Sequence, residues 1–110
     1  MDFLPIFLNI RNQTCLVVGG GEVAARKITL LLQAGAQVSV ISPEQDASLL
    51  EYLAQGKIKH CSEYFQPGHL ENIVLAIAAT NDRVTNQRVS EAARQRHIPV
   101  NVVDNPDLCT

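Results

Sequence analysis

The chain alternates short, unbroken apolar runs with longer segments whose apolar residues recur every three or four positions. Thr14-Cys15-Leu16-Val17-Val18 is such a run, and Gly19-Gly20-Gly21 ends it. An unbroken run of this length predicts a strand buried on both faces, as in a parallel sheet. Over residues 22–34 the pattern turns helical, with Val23, Ile28, Leu31 and Leu32 on one face and Gly35 as the stop. Residues 37–41 read as a second strand, rich in β-branched residues and ended by Ser42-Pro43. Residues 46–55 form a short helix closed by Gly56, and 58–61 a weaker third strand. A strongly apolar fourth strand covers 73–79. A helix covers 82–96, with Asn81 as its candidate N-cap, and a fifth strand covers 99–103. Residues 4–10 also have strand character. A central first strand already has two neighbours, so this segment is expected at a sheet edge.

Strands separated by helices of this length imply right-handed crossovers and a parallel sheet. The fold class is therefore α/β: a Rossmann-type doubly wound parallel sheet in strand order 3-2-1-4-5, forming a single three-layer domain over residues 1–110. A length of 110 residues allows one such domain, and 46% hydrophobic residues can fill one core. Aromatics are only 5% and Trp is absent, so that core is mostly aliphatic. A net charge of -2 gives no electrostatic case for nucleic acid or an anionic membrane. No apolar run approaches the ~20 residues that span a bilayer. The start, Met1-Asp2-Phe3-Leu4-Pro5, lacks the basic and long apolar regions of a secretory leader, so a cytoplasmic protein is expected. Cys15, Cys61 and Cys109 include no CxxC pair, which argues against a disulfide framework or zinc knuckle. Cys15 and Cys61 lie in strand-like runs and are expected to behave as small buried hydrophobes. His60, His69 and His97 show no metal-ligand spacing, so no metal site is expected.

The turn Gly19-Gly20-Gly21-Glu22-Val23-Ala24 matches G-x-G-x-x-G/A, with Gly19, Gly21 and Ala24 in the three fixed positions. Gly19 would make the tight turn out of the strand. Gly21 would let a pyrophosphate approach the backbone, and Ala24 would hold the helix close to the sheet. The phosphates would then face the free N–H groups and positive end of the helix. The pattern follows a strand and opens a helix, the context that gives it meaning. The acid usually found at the end of the second strand, which reads the adenosine ribose, is absent. Ser42, a backbone group, or Glu44 reaching back are the alternatives there. No Arg or Lys stands ready for a 2′-phosphate, which favours NAD over NADP.

Three blocks of the sequence resemble siroheme synthase. They are Leu4-Pro5-Ile6-Phe7 with Cys15 through Lys27; Ala76 through Asp82 with Asn86-Gln87-Arg88-Val89; and Asn101-Val102-Val103-Asp104-Asn105-Pro106. The resemblance implies an N-terminal module that oxidises precorrin-2 to sirohydrochlorin with NAD⁺ and inserts Fe²⁺, a substrate, to give siroheme. It also implies a homodimerisation region and a methyltransferase module outside these residues, making this chain one domain of a longer protein. Asp104 matches the family's catalytic aspartate. Glu22 and Val23 match positions contacting NAD through the helix N-terminus, with Glu22 expected to offer its backbone. Ser42 and Pro43 match positions beside the adenosine. Thr80 ends the fourth strand, where the middle of the cofactor usually crosses; capping the next helix is its alternative role. Asp104-Asn105-Pro106 is also a well-formed turn sequence. Arg26 and Lys27 would attract a carboxylate-rich tetrapyrrole or merely form a solvated face. A different class, a nucleotide-sensing regulatory module without catalysis, usually keeps the strand-end acid that this chain lacks.

Overall fold

The computed structural model describes residues 3–45, 47–103 and 105–110. Its regular elements are β1 (Thr14–Val18), α1 (Glu22–Gln33), β2 (Gln37–Ile41), α2 (Ala47–Ala54), β3 (Ile58–Cys61), β4 (Leu75–Ala78), α3 (Arg83–Gln95) and β5 (Val100–Val102). All four strand pairings are parallel, and the sheet runs β3-β2-β1-β4-β5. The predicted order and the central place of β1 are therefore what the chain adopts.

Side chains alternate across a strand, so β1 feeds two cores at once. Cys15 and Val17 join Val38, Val40, Ile58 and Ile77 under α1 and α2, meeting Ala24, Ile28, Leu31 and Leu49. Leu16 and Val18 join Ala76, Ala78, Val100 and Val102 on the opposite face, meeting Val89, Ala92 and Ala93 of α3. The β3–β4 connection supplies no α-helix. It carries a 3-10 turn (Pro67–Leu70) and plugs the same core with Phe65 and Leu70. The register aligns the strand ends that matter for function. Val18 lies opposite both Ile41 and Ala78, so β1, β2 and β4 finish together at one edge.

Several expectations are corrected. Residues 3–10 form no strand, and Phe3, Leu4, Ile6, Phe7 and Leu8 are exposed. A turn with Asn12 in the left-handed region leads directly into β1, and the Asn12 N–H donates to the Gly35 carbonyl at 2.9 Å. That anchor holds the segment beside the sheet centre, while either edge is two strands, about 10 Å, away. Val23 leaves the apolar face of α1 and is 40% exposed. The buried face is Ala24, Ala25, Ile28 and Leu31, with Leu32 partly buried beside it. Asp82, not Asn81, caps α3: its Oδ1 accepts the Val84 N–H at 3.1 Å and its Oδ2 the Thr85 hydroxyl at 2.7 Å. Cys15 is fully buried as expected, but Cys61, on edge strand β3, is half-buried. No helix among the described residues is long and apolar enough to cross a membrane.

Candidate functional site

The aligned ends of β1, β2 and β4 open into a cleft of about 620 Å³. Gly19, Gly20, Gly21, Glu22, Val23, Ser42, Pro43 and Thr80 all line it, so every described residue expected at a cofactor lies in one cavity. The glycines do three different jobs. Gly19 has φ +133 and donates its N–H to the Ile41 carbonyl at 3.0 Å; a Cβ there would strike the Ala79 carbonyl. Gly20 packs against the β2–α2 turn, where a Cβ would meet the Glu44 carbonyl and the Ser42 Oγ. Gly21 is the N-cap of α1, with no side chain capping the helix and nothing within 4 Å of where its Cβ would stand. The first-turn N–H groups have no partner within the helix, and Gly21, Glu22 and Val23 line the cleft. An anionic group fits there, since the positive end of the helix meets a cradle that any larger side chain would fill.

Ser42 is 4% exposed and its hydroxyl is engaged within the protein. Oγ donates to the Glu44 carbonyl at 2.5 Å and lies 2.9 Å from His60 Nε2. With its proton on Glu44, Oγ accepts from His60, whose neutral ring therefore carries its proton on Nε2. Of the three ribose contacts open from the sequence, this leaves the turn backbone and the Glu44 carboxylate. Thr80 stands at the expected cofactor cleft but does not cap α3, a place that Asp82 takes. The Thr80 hydroxyl donates to Asn86 Oδ1 at 2.6 Å, tying the end of β4 to α3. Glu22 is exposed, and its carboxylate pairs with Arg26 at 3.4 Å, one turn along the helix. Neither Arg26 nor Lys27 lines the cleft. Asp104 lies outside the described residues. Its neighbours are anchored at the same end of the sheet, with Val103 N–H on the Ala78 carbonyl at 3.1 Å and Asn105 N–H on the Val102 carbonyl at 3.2 Å.

The charges of the cleft share one sign. Glu22, Glu44, Glu63 and Asp82 line it, and no Lys, Arg or His does so among the described residues. The Thr85 hydroxyl, seconded by backbone N–H groups, holds the Asp82 carboxyl below its ordinary range. The Cys61 thiol and then His69 do the same for Glu63. Both are ionised at neutral pH.

Cys61, Glu63 and His69 bring three metal-type donor atoms within 4.8 Å of one another, a cluster the sequence spacing hides. Hydrogen bonds already use them. The thiol donates to Glu63 Oε1 at 2.9 Å, which pushes its pKa up. His69 Nδ1 accepts the Gln66 N–H at 3.0 Å, so the neutral ring carries its proton on Nε2, directed at Glu63 Oε2 3.2 Å away.

Sequence reasoning also missed His60 and the packing role of Gly20. A third glycine where the motif requires only two was the available signal for Gly20. His60 meets Ser42 only through the β2–β3 register, which no local pattern encodes.

A doubly wound parallel sheet with a glycine turn at the end of its central strand, and an uncapped helix start beyond it, defines a dinucleotide-binding domain. The chain belongs to the family described as "Putative NAD(P)-binding", whose model matches residues 6–110. It is similar to a siroheme synthase of Nitrosomonas eutropha, at 60% identity over 111 aligned residues that cover 100% of this chain and 23% of that protein. A siroheme synthase of Methylobacillus flagellatus is 54% identical, over 100% of this chain and 24% of that one. The chain thus spans about a quarter of the length of these curated relatives. Among solved structures, SirC, described as a precorrin-2 dehydrogenase, superposes with a TM-score of 0.72 at 32% identity, over 77% of this chain and 43% of that one. These likenesses agree with the dinucleotide-binding domain that the fold defines.

Proposed function

We propose that this chain is the NAD-binding module of an enzyme that oxidises precorrin-2 to sirohydrochlorin, with NAD⁺ becoming NADH and one proton released. The observation carrying this reading is the bare start of α1 at Gly21, opening onto a cleft that holds all the described residues expected at the cofactor. The α1 N–H groups would hold the pyrophosphate, and the β2–α2 turn at Ser42 and Pro43 would flank the adenosine. Bound NAD⁺ supplies the hydride acceptor. Asp104, following β5, would take the proton that leaves the tetrapyrrole as the hydride departs. Four carboxylates, with no cation among the described residues that line the cleft, favour NAD over NADP, because a 2′-phosphate adds negative charge.

For the whole protein we propose the further steps that the resemblance to siroheme synthase implies. Fe²⁺, as substrate, enters sirohydrochlorin to give siroheme, and precorrin-2 is supplied by a methyltransferase module. That protein would be a cytoplasmic homodimer, joined through a region outside these residues. The test is Asp104→Ala in the whole protein. NADH formation from precorrin-2 should vanish while NAD⁺ affinity stays within about twofold. Undiminished NADH formation would remove Asp104 as the base.

A further inference from the structure

The end of β2 is where an acid usually reads the ribose of a dinucleotide, and here the strand ends in Ser42. The buried Ser42 hydroxyl is a two-way joint, donating to the Glu44 carbonyl at 2.5 Å and accepting from His60 Nε2 at 2.9 Å. His60 reaches it because β2 and β3 pair Val40 with His60, and the Ser42 N–H donates to the next carbonyl, that of Cys61, at 3.2 Å. The joint closes Ser42-Pro43-Glu44 into a tight turn. The inner side of that turn rests on Gly20, where even a methyl group would collide with Ser42 and Glu44. The exposed Glu44 lines the cleft from the same turn. A continuous stack therefore runs from the glycine loop through the turn to His60 in the third strand.

We propose that Glu44 reads the adenosine ribose, selecting the free 2′,3′-diol over a 2′-phosphate, and that His60 is the positioning residue that holds Glu44 in place through Ser42. The proposal rests on the NAD-binding reading of this cleft. A carboxylate accepts hydrogen bonds from both hydroxyls of a diol and repels a phosphate. It discriminates well only on a fixed backbone, and the Ser42–His60 joint fixes that turn. The missing strand-end acid is thus replaced by one two residues later, carried on a locked turn.

The chain is titrated calorimetrically with NAD⁺ and with NADP⁺, and thermal unfolding is recorded for each variant. Glu44→Gln should cut the preference for NAD⁺ by about tenfold, because a neutral amide does not repel phosphate and offers one acceptor oxygen in place of two charged ones. His60→Leu should weaken NAD⁺ about fivefold or more and NADP⁺ less, lowering the same ratio. His60→Gln, whose amide can donate to Ser42 Oγ, should recover most of it, which a mere packing role would not require. Ser42→Ala keeps the His60 ring and removes the joint, so it should lower the same ratio about as much, and it reports on the joint even if His60→Leu fails to fold. An unchanged nucleotide ratio in folded Glu44→Gln, or in folded Ser42→Ala, would overturn the proposal while leaving NAD binding intact. So would a His60→Gln protein as impaired as His60→Leu. Failure of the unsubstituted chain to bind NAD⁺ would instead overturn the reading beneath it, and the proposal with it.

Discussion

Gly20→Ala separates the glycine that shapes the fold from the one that faces the ligand. Its added methyl would stand 2.7 Å from the Ser42 Oγ and closer still to the Glu44 carbonyl. Carbon atoms do not approach that closely, so the glycine loop or the β2–α2 turn must move. Neither is free to do so. The Gly19 N–H is bonded to the Ile41 carbonyl at 3.0 Å, and the turn is closed by Ser42 on Glu44 at 2.5 Å. Overpacking of this kind costs about 1–3 kcal/mol. Loss of the Ser42–Glu44 hydrogen bond adds roughly 1 kcal/mol. The sum, about 2–4 kcal/mol, is a large share of the roughly 5–15 kcal/mol that stabilises a domain of this size. At about 4–8 °C per kcal/mol, the melting temperature should fall by at least about 8 °C in scanning calorimetry. Gly21→Ala is the control: nothing lies within 4 Å of the new methyl, and φ of -92° suits alanine. Its stability should stay within about 1 kcal/mol of the original. A Gly20→Ala protein as stable as Gly21→Ala would refute the packing argument.

Asp82→Ala removes the cap of α3 and should lower the melting temperature at neutral pH. Hydrogen bonds hold the Asp82 carboxyl below its ordinary value of 3.8, so its contribution is complete above that pH and lost as pH falls through the depressed value. The difference between original and variant should therefore narrow below about pH 4, and a gap unchanged by acid would contradict the capping assignment. Phe65, 2% exposed, replaces a crossover helix in the second core. Phe65→Ala should cost about 3–5 kcal/mol in urea titration, and a loss under about 1 kcal/mol would mean that the connection is not a core element. Because Cys61 donates to Glu63, its thiol should react with a disulfide reagent at pH 7 more slowly in the folded chain than in urea; equal rates would break that network.

Much of this architecture was legible in residue order because the inner strands are short segments rich in apolar residues, and β1 and β2 each end at a hard stop. β1 ends at three glycines and β2 at Ser42-Pro43, and the structure starts and stops both where the pattern does. Apolar composition misled where burial did not follow it. Leu4, Ile6 and Phe7 resemble a strand in sequence, but the anchor at Asn12 keeps them from any sheet edge. Val23 fits a helical stripe, yet it sits on the turn of α1 that opens into the cleft. The glycine loop carries its chemistry in adjacent residues and so could be read directly. The Ser42–His60 joint depends on strand register across 18 positions, and the Cys61–Glu63–His69 network on how an irregular connection folds back. Neither has a local signature.

In the proposed function, the pyrophosphate of the dinucleotide lies against the start of α1. Calorimetric titration of NAD⁺ into the chain and into Gly21→Val tests this most directly, with circular dichroism and thermal unfolding as controls. The side chain of Gly21→Val would enter open space and should leave the fold unaltered. The original chain should bind NAD⁺, and the folded variant should show no measurable heat of binding. Equal affinities for the two would contradict the account, because the phosphates would then lie somewhere other than the glycine loop.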